Sequence, residues 1–280
     1  MALKHEEILL IHLGGLGDVC LSESAFLSLS THFRGAITAL GYTRFLSLFE
    51  DYFAQVKSVE ERRWLFLFSG EATGTAWQRV ILIGKDRSGG FRARLTPLSC
   101  DPLIFVDMYP ESESMHVEEY QLHQLPIYGI KAREKKVEPN PADRVILYPE
   151  HSRGKRKWTY DNFLALFEML TARGVDTILL EAPDVEPSAR DSLRFEQLQD
   201  TAAFLNRGGI FVSNDSGLAH LAGVCGLTTI TLFHDQRPDV WHPRGKNVSI
   251  ACDPRPPSLE EVLEQILGNL ESHLPLSVIP

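Results

Sequence analysis

Val212-Ser213-Asn214-Asp215-Ser216-Gly217-Leu218-Ala219-His220 decides how this chain reads. The apolar run before it, Gly209-Ile210-Phe211-Val212, predicts a short buried strand that stops at the polar residues Ser213 to Gly217. Leu218, Leu221, Ala222 and Val224 then recur at helical spacing. A strand that turns directly into a helix leaves the first N–H groups of that helix without intrahelical acceptors. With the positive end of the helix dipole they make an anion site suited to phosphate. Asp215 is placed to accept hydrogen bonds from sugar hydroxyls, and the plainer alternative is that Asp215 or Ser216 caps an ordinary helix. His220 reads either as a core histidine or as a residue supporting Asp215.

The N-terminal half repeats the device. Ile8-Leu9-Leu10-Ile11 is a continuous apolar run, as in a parallel strand buried on both faces. It ends at Gly14-Gly15-Leu16-Gly17-Asp18, and a helix is predicted over residues 19–29. This is not a dinucleotide fingerprint: Cys20 stands where the third glycine belongs, and no P-loop Lys-Ser/Thr follows. Gly14, Gly15 and Gly17 let a ligand approach the backbone. Asp18 reads either as a helix cap or as a general base that takes a proton from a sugar hydroxyl.

Further strands are expected over residues 36–40, 64–68, 80–83 and 104–106, with a helix over 45–53. Residues 131–143 are charged, carry Pro139 and Pro141, and lack apolar periodicity, which marks a linker. Strands then follow over 145–148, 177–180, around Ile210 and over 229–233, with helices over 160–173, 201–205, from Leu218, and over 259–270. Strands alternating with helices call for doubly wound parallel sheets. The expected organisation is two α/β domains, residues 1–138 and 139–280. Ligands of such sheets bind beyond the carboxyl ends of the strands.

Two more clusters follow strands. Pro149-Glu150-His151-Ser152-Arg153-Gly154-Lys155-Arg156-Lys157-Trp158 is either a solvated basic loop or a cationic cradle for a diphosphate. His234, Asp235, Arg237, Asp239 and His242 match no metal-ligand spacing and suit a pocket lining better. No metal and no separate cofactor are expected. The 280 residues are 44% hydrophobic and 23% charged, as in a soluble globular protein, and the net charge of -9 argues against a general nucleic-acid binder. No stretch approaches the roughly 20 apolar residues of a membrane span, and the polar N-terminus does not read as a signal peptide. Cys20, Cys100, Cys225 and Cys252 are scattered, as expected of reduced thiols in a cytoplasmic protein. Arg87, Phe91, Arg92 and Arg94 suit either a plain exposed loop or peripheral contact with an anionic lipid surface.

Taken together, these stretches resemble glycosyltransferase family 9, the heptosyltransferases of lipopolysaccharide assembly. The likeness runs through the first strand with Gly17-Asp18-Val19, and through Met115-His116-Val117-Glu118-Glu119-Tyr120 with Tyr128-Gly129-Ile130. It continues through Lys155 to Trp158 with Phe163, Asn214 to Ala222, Leu232-Phe233 and Trp241-His242-Pro243. The resemblance implies a GT-B fold, two Rossmann-like domains facing across a cleft, with the acceptor domain first and the donor domain second. It also implies inverting, metal-independent transfer of a heptose from an ADP-activated donor to a lipopolysaccharide or other glycan or glycolipid acceptor. The place of action would be the cytoplasm, with peripheral contact at the inner membrane left open.

Carried over residue by residue, Asp18 matches the general base and Asp215 the residue that grips sugar hydroxyls. Ser216 and Gly217 match backbone donors to the diphosphate, with Leu218 and His220 beside them. Among Lys155, Arg156 and Lys157, the family's usual lysine position holds Arg156. Asp184 or Glu186 matches a ribose contact. Ser24 stands where the family commonly has proline, and His234 where it has glycine after Leu-Phe. The rival readings are a GT-B nucleotide-sugar enzyme of the epimerase type and a non-catalytic nucleotide-sugar binder.

Overall fold

The computed structural model describes residues 8–69, 76–110, 114–149, 158–183, 192–253 and 255–271. The chain divides into two compact units, Met1–Lys135 and Lys136–Pro280. This division and the expected 138/139 boundary both fall within the linker-like stretch 131–143.

In the first unit the strands are β1 (Ile8–His12), β2 (Ile37–Gly41), β3 (Gln55–Ser58), β4 (Arg79–Gly84) and β5 (Ile104–Asp107). They form one parallel sheet in the order β3-β2-β1-β4-β5. Its helices are α1 (Leu16–Cys20), α2 (Glu23–His32), α3 (Thr43–Leu46), α4 (Phe66–Ser69), α5 (Gly90–Leu95) and α6 (Val117–Gln124). The second unit has β6 (Arg144–Tyr148), β7 (Asp176–Leu179), β8 (Ile210–Asn214), β9 (Thr228–Phe233) and β10 (Asn247–Ala251). These pair in parallel in the order β10-β9-β8-β6-β7. Its helices are α7 (Tyr160–Thr171), α8 (Leu198–Leu205), α9 (Gly217–Val224), α10 (Pro238–Trp241) and α11 (Leu259–Glu271).

Both sheets reverse their winding direction once. In the first unit the reversal lies between β1 and β4, and in the second between β6 and β8. The connections on either side of such a point leave in opposite directions, so a crevice opens beyond the strand ends. The central strands β1, β6, β8 and β9 are buried along their whole length. Each sheet is packed on its own apolar cluster: Leu9, Ile11, Leu82 and Leu95 in the first unit, Val145, Leu147, Phe163 and Val212 in the second. Each fully buried aliphatic side chain is worth roughly 1.5–3 kcal/mol, which gives each unit a core of its own.

Several expected elements differ. Residues 64–68, expected as a strand, form the end of a 3-10 turn (Arg62–Trp64) and then α4. Trp64 and Leu67 are buried while Leu65 and Phe68 are 57% and 52% exposed, a spacing of three that a strand does not produce. The helix expected over 19–29 starts earlier, at Leu16, and breaks into α1 and α2. At the break the Ser22 hydroxyl donates to the Asp18 carbonyl at 2.8 Å. The helix over 45–53 is a single α turn followed by a 3-10 segment, Ser47–Tyr52. The edge strands β3 and β10 carry polar residues and gave no apolar run to detect.

The stretch 131–143 has no regular structure, yet its backbone is anchored. Its first part is tied to α2: the Arg133 N–H donates to Ser28 and the Lys135 N–H to Ser24, each at 2.8 Å. Ser24, at the family's proline position, thus accepts from Lys135 and also donates to Glu118 on α6. Further on, the Asn140 N–H donates to the Gly226 carbonyl at 2.8 Å. Gly226 has φ +83, and a Cβ there would lie 2.3 Å from the Glu138 carbonyl oxygen, so glycine is required on both counts.

Candidate active site

The β1 end is organised around a buried histidine. His12, the last residue of β1, is fully buried and packs edge-on against Phe26 at 5.7 Å. Its Nδ1 accepts the Gly14 N–H at 3.3 Å, and its Nε2 lies 3.1 Å from the Ser22 hydroxyl oxygen. Ser22 already donates to the Asp18 carbonyl, so the network assigns the proton of His12 to Nε2. Burial pushes the His12 pKa down to about 4 against the opposing pull of Asp18, so the ring is neutral at pH 7. It serves as a fixed strut under the glycine loop.

On that strut stands Asp18. Its Oδ2 accepts the Gly15 N–H at 2.8 Å and its Oδ1 accepts the Tyr109 hydroxyl at 3.3 Å. The cap reading is therefore true of one oxygen, and the other is turned to a residue beyond β5. A Cβ on Gly14 would meet the Asp18 Cβ at 2.5 Å and Oδ2 at 2.7 Å. Gly14 is thus a matter of close approach. A cavity of about 200 Å³ opens beside this loop, at the winding reversal of the sheet, walled by Gly14, Gly84, Lys85, Phe91, Met108 and Tyr109 among others. The Lys85 ammonium lies 5.4 Å from the Tyr109 ring centroid.

In the second unit β8 runs to Asn214, two residues past the expected end at Val212, and α9 begins at Gly217, one residue before the expected Leu218. Ser216 is the N-cap: its hydroxyl accepts the Ala219 N–H at 3.2 Å. That hydroxyl is turned inward, so what Ser216 offers a ligand is its backbone. The N–H groups of Gly217 and Leu218 open the helix, ahead of any intrahelical acceptor. Asp215 holds its place through its N–H to the Leu232 carbonyl, at 2.9 Å, and its Oδ1 lies 3.8 Å from His220 Nε2. His220, on α9, is buried.

Sequence reasoning passed over Asn214 as a working residue. Its amide donates to the Trp158 carbonyl at 3.1 Å and accepts the Trp158 N–H at 3.2 Å. The Trp158 indole N–H in turn donates to the Pro257 carbonyl at 3.0 Å. The chain is thereby pinned to the end of β8 just after the basic stretch. His234, at the family's glycine position, lies 2.9 Å from Asn214 Oδ1 and joins this clamp. Lys155, Arg156, Lys157, Asp184 and Glu186 lie outside the described residues. Glu181, just past β7, is a buried carboxylate held by Tyr160 at 2.7 Å, Ser192 at 2.6 Å and Arg194. Tyr109 and Lys85 were also passed over, although Lys85 directly follows β4 and Tyr109 comes two residues after β5, where ligands of such sheets bind.

A sequence model of glycosyltransferase family 9 (heptosyltransferase) matches residues 112–270, more than half of the chain. The chain belongs to glycosyltransferase family 9. No curated protein sequence matched it. Among solved structures, a family 9 glycosyl transferase from Veillonella parvula is similar with a TM-score of 0.69 at 16% identity, covering 96% of this chain and 98% of that one. The E. coli heptosyltransferase WaaC, solved with ADP, gives a TM-score of 0.68 at 15% identity, over 94% and 99% of the two chains. E. coli ADP-heptose LPS heptosyltransferase II gives 0.66 at 17% identity, over 95% and 99%. The family 9 chain therefore has the GT-B fold and is a glycosyltransferase. No helix among its described residues is long and apolar enough to cross a membrane.

Proposed function

We propose that this glycosyltransferase moves a heptose from an ADP-activated donor to a lipopolysaccharide or related glycan acceptor, with inversion and without a metal. Support comes from what stands at the two winding reversals. The first unit presents a carboxylate there, the second a helix start with an adjacent aspartate. In the proposed step Asp18 takes the proton of the acceptor hydroxyl. The freed oxygen bonds to the anomeric carbon, and the bond from that carbon to the diphosphate breaks, its electron pair leaving on ADP. The N–H groups at Gly217 and Leu218, with the backbone of Ser216, receive the diphosphate. Lys155, Arg156 and Lys157 add positive charge to it. Asp215, backed by His220, holds sugar hydroxyls, and Asp184 or Glu186 holds the ribose. Without a metal these donors carry the stabilisation of the leaving group, each worth on the order of 10²–10³ in rate.

The single observation that carries this reading is Asp18 held by Gly15 and Tyr109 at the strand reversal, next to a cavity that Gly14 and Tyr109 line, in a chain of family 9. The test supplies ADP-heptose and heptose-deficient lipopolysaccharide. The wild-type chain should transfer, and Asp18→Asn should still bind ADP while transfer is nearly lost. Product formed from ADP-heptose with no acceptor present would instead favour the epimerase-type alternative. ADP binding with no transfer to any glycan extract would favour a non-catalytic binder.

The reading includes action at the cytoplasmic face of a membrane. Of the three arginines in the basic-aromatic stretch, Arg87 is paired with Asp107 and Arg92 with Asp86. Arg94 lies over the Phe91 ring at 5.5 Å, and Phe91 stacks on the exposed Phe68 at 6.0 Å. With Leu65 also exposed, this face joins apolar side chains to a cation, as lipid-surface contact requires. Vesicles containing anionic lipid should sediment the wild-type chain, and Phe68→Ser with Leu65→Ser should not sediment; equal sedimentation of both removes this part.

A further inference from the structure

Asp18 is gripped from two sides by elements far apart in the chain. The Gly15 N–H comes from its own loop, and the Tyr109 hydroxyl from the segment after β5. A carboxylate anchored at one oxygen still turns about its last side-chain torsion, which is broad. A second donor at the other oxygen stops that rotation.

We propose that Tyr109 is a positioning residue for the transfer reaction: its hydroxyl, together with the Gly15 N–H, fixes the plane of the Asp18 carboxylate toward the cavity that takes the acceptor. This rests on the reading of Asp18 as the general base. An ionised carboxylate offers about four lone-pair sites, so two donors leave room for the acceptor hydroxyl. Tyr109 is itself held. Its N–H donates to Asp107 at 3.1 Å, its carbonyl accepts from Arg87, and Arg87 pairs with Asp107. Burial, with Asp18 adding to it, pushes the Tyr109 pKa up to about 12. The phenol therefore keeps its proton at neutral pH and is the donor in its bond to Asp18. In the step itself Tyr109 gives up nothing: the acceptor proton passes to Asp18 and the leaving electron pair to ADP. Orientation of this kind matters because misplacing a reacting group by about 1 Å can cost on the order of 10²-fold in rate.

The test is a double-mutant cycle with ADP-heptose and heptose-deficient lipopolysaccharide. Tyr109→Phe removes the hydroxyl and keeps the ring. It should lower kcat by roughly 10- to 100-fold while KM for both substrates stays within about twofold, the pattern of an interaction lost in the transition state. Set in the Asp18→Asn background, the same change should cost nothing further, because the base whose carboxylate it orients is already gone. A general folding defect would carry over into that background. An unchanged kcat in Tyr109→Phe, a loss confined to KM, or additive losses would each overturn the inference while leaving transferase function standing. A wild-type chain that transfers nothing would remove the functional reading, and this inference with it.

Discussion

The loops after β1 and after β8 start from one backbone device and end with opposite chemistry. In each, a buried parallel strand stops at small residues beside the winding reversal and runs on into a helix. In the first unit α1 has five residues, and its own Asp18 reaches back to the Gly15 N–H. That bond answers the N–H of the N-cap Gly15 alone, and what sets this loop apart is the carboxylate itself. In the second unit the cap is Ser216, whose hydroxyl satisfies only the Ala219 N–H. The earlier N–H groups of the eight-residue α9 precede any intrahelical acceptor. At this point the two units thus differ in which residue bonds at the helix start, Asp18 in one and Ser216 in the other.

The largest expected effect lies on the carboxylate side. Asp18→Asn should lower the transfer rate by roughly 10²–10⁴-fold, the usual span for a general base, with ADP affinity by calorimetry unchanged. Near-normal turnover would erase the contrast between the two loops. Next in size is Gly14→Ala. The added methyl collides with Asp18 and should cost about 10²-fold in transfer rate through displacement of the base. Retained activity would mean that the carboxylate position is not demanding.

His12 sharpens the comparison through pH. Its folded pKa of about 4 lies below the ordinary histidine value of 6.5. Below the ordinary value the unfolded chain takes up a proton that the folded chain refuses. Stability from this residue is therefore complete above about pH 6.5 and is lost as pH falls toward 4, by about 1.4 kcal/mol per pH unit. Urea titrations of wild type and His12→Gln across that window should show a steeper decline for the wild type, and parallel declines would contradict it. The smallest effect falls on the cap. Ser216→Ala should cost about 1 kcal/mol in stability, read as a lower urea midpoint. Donor binding should survive in part, because the ligand-facing groups there are backbone.

How much was legible depends on the range of the interaction. The apolar runs of β1, β4, β6, β8 and β9 were readable because strands buried on both faces have no polar alternation to confuse them. Residues 64–68 misled because a short aromatic-rich run suits a strand by propensity, while packing gave it a helical spacing. The place of Asp18, Asp215, Ser216 and Gly217 at strand-to-helix turns was legible because it follows from the chain within a few residues of each. Tyr109 carries no local mark. It reaches Asp18 only because β4 separates β1 from β5 in the sheet, which places the β5 exit beside the same cavity.

Residue order alone determined the two strand-to-helix turns, their small residues and their aspartates, since hydrophobic period and capping preference act over one turn of chain. Tertiary structure alone decided which distant residues close around them: Tyr109 on Asp18, Asn214 on Trp158, and neutral His12 beneath the glycine loop. Those contacts depend on strand order and on burial, and both arise only when the sheets assemble and exclude water.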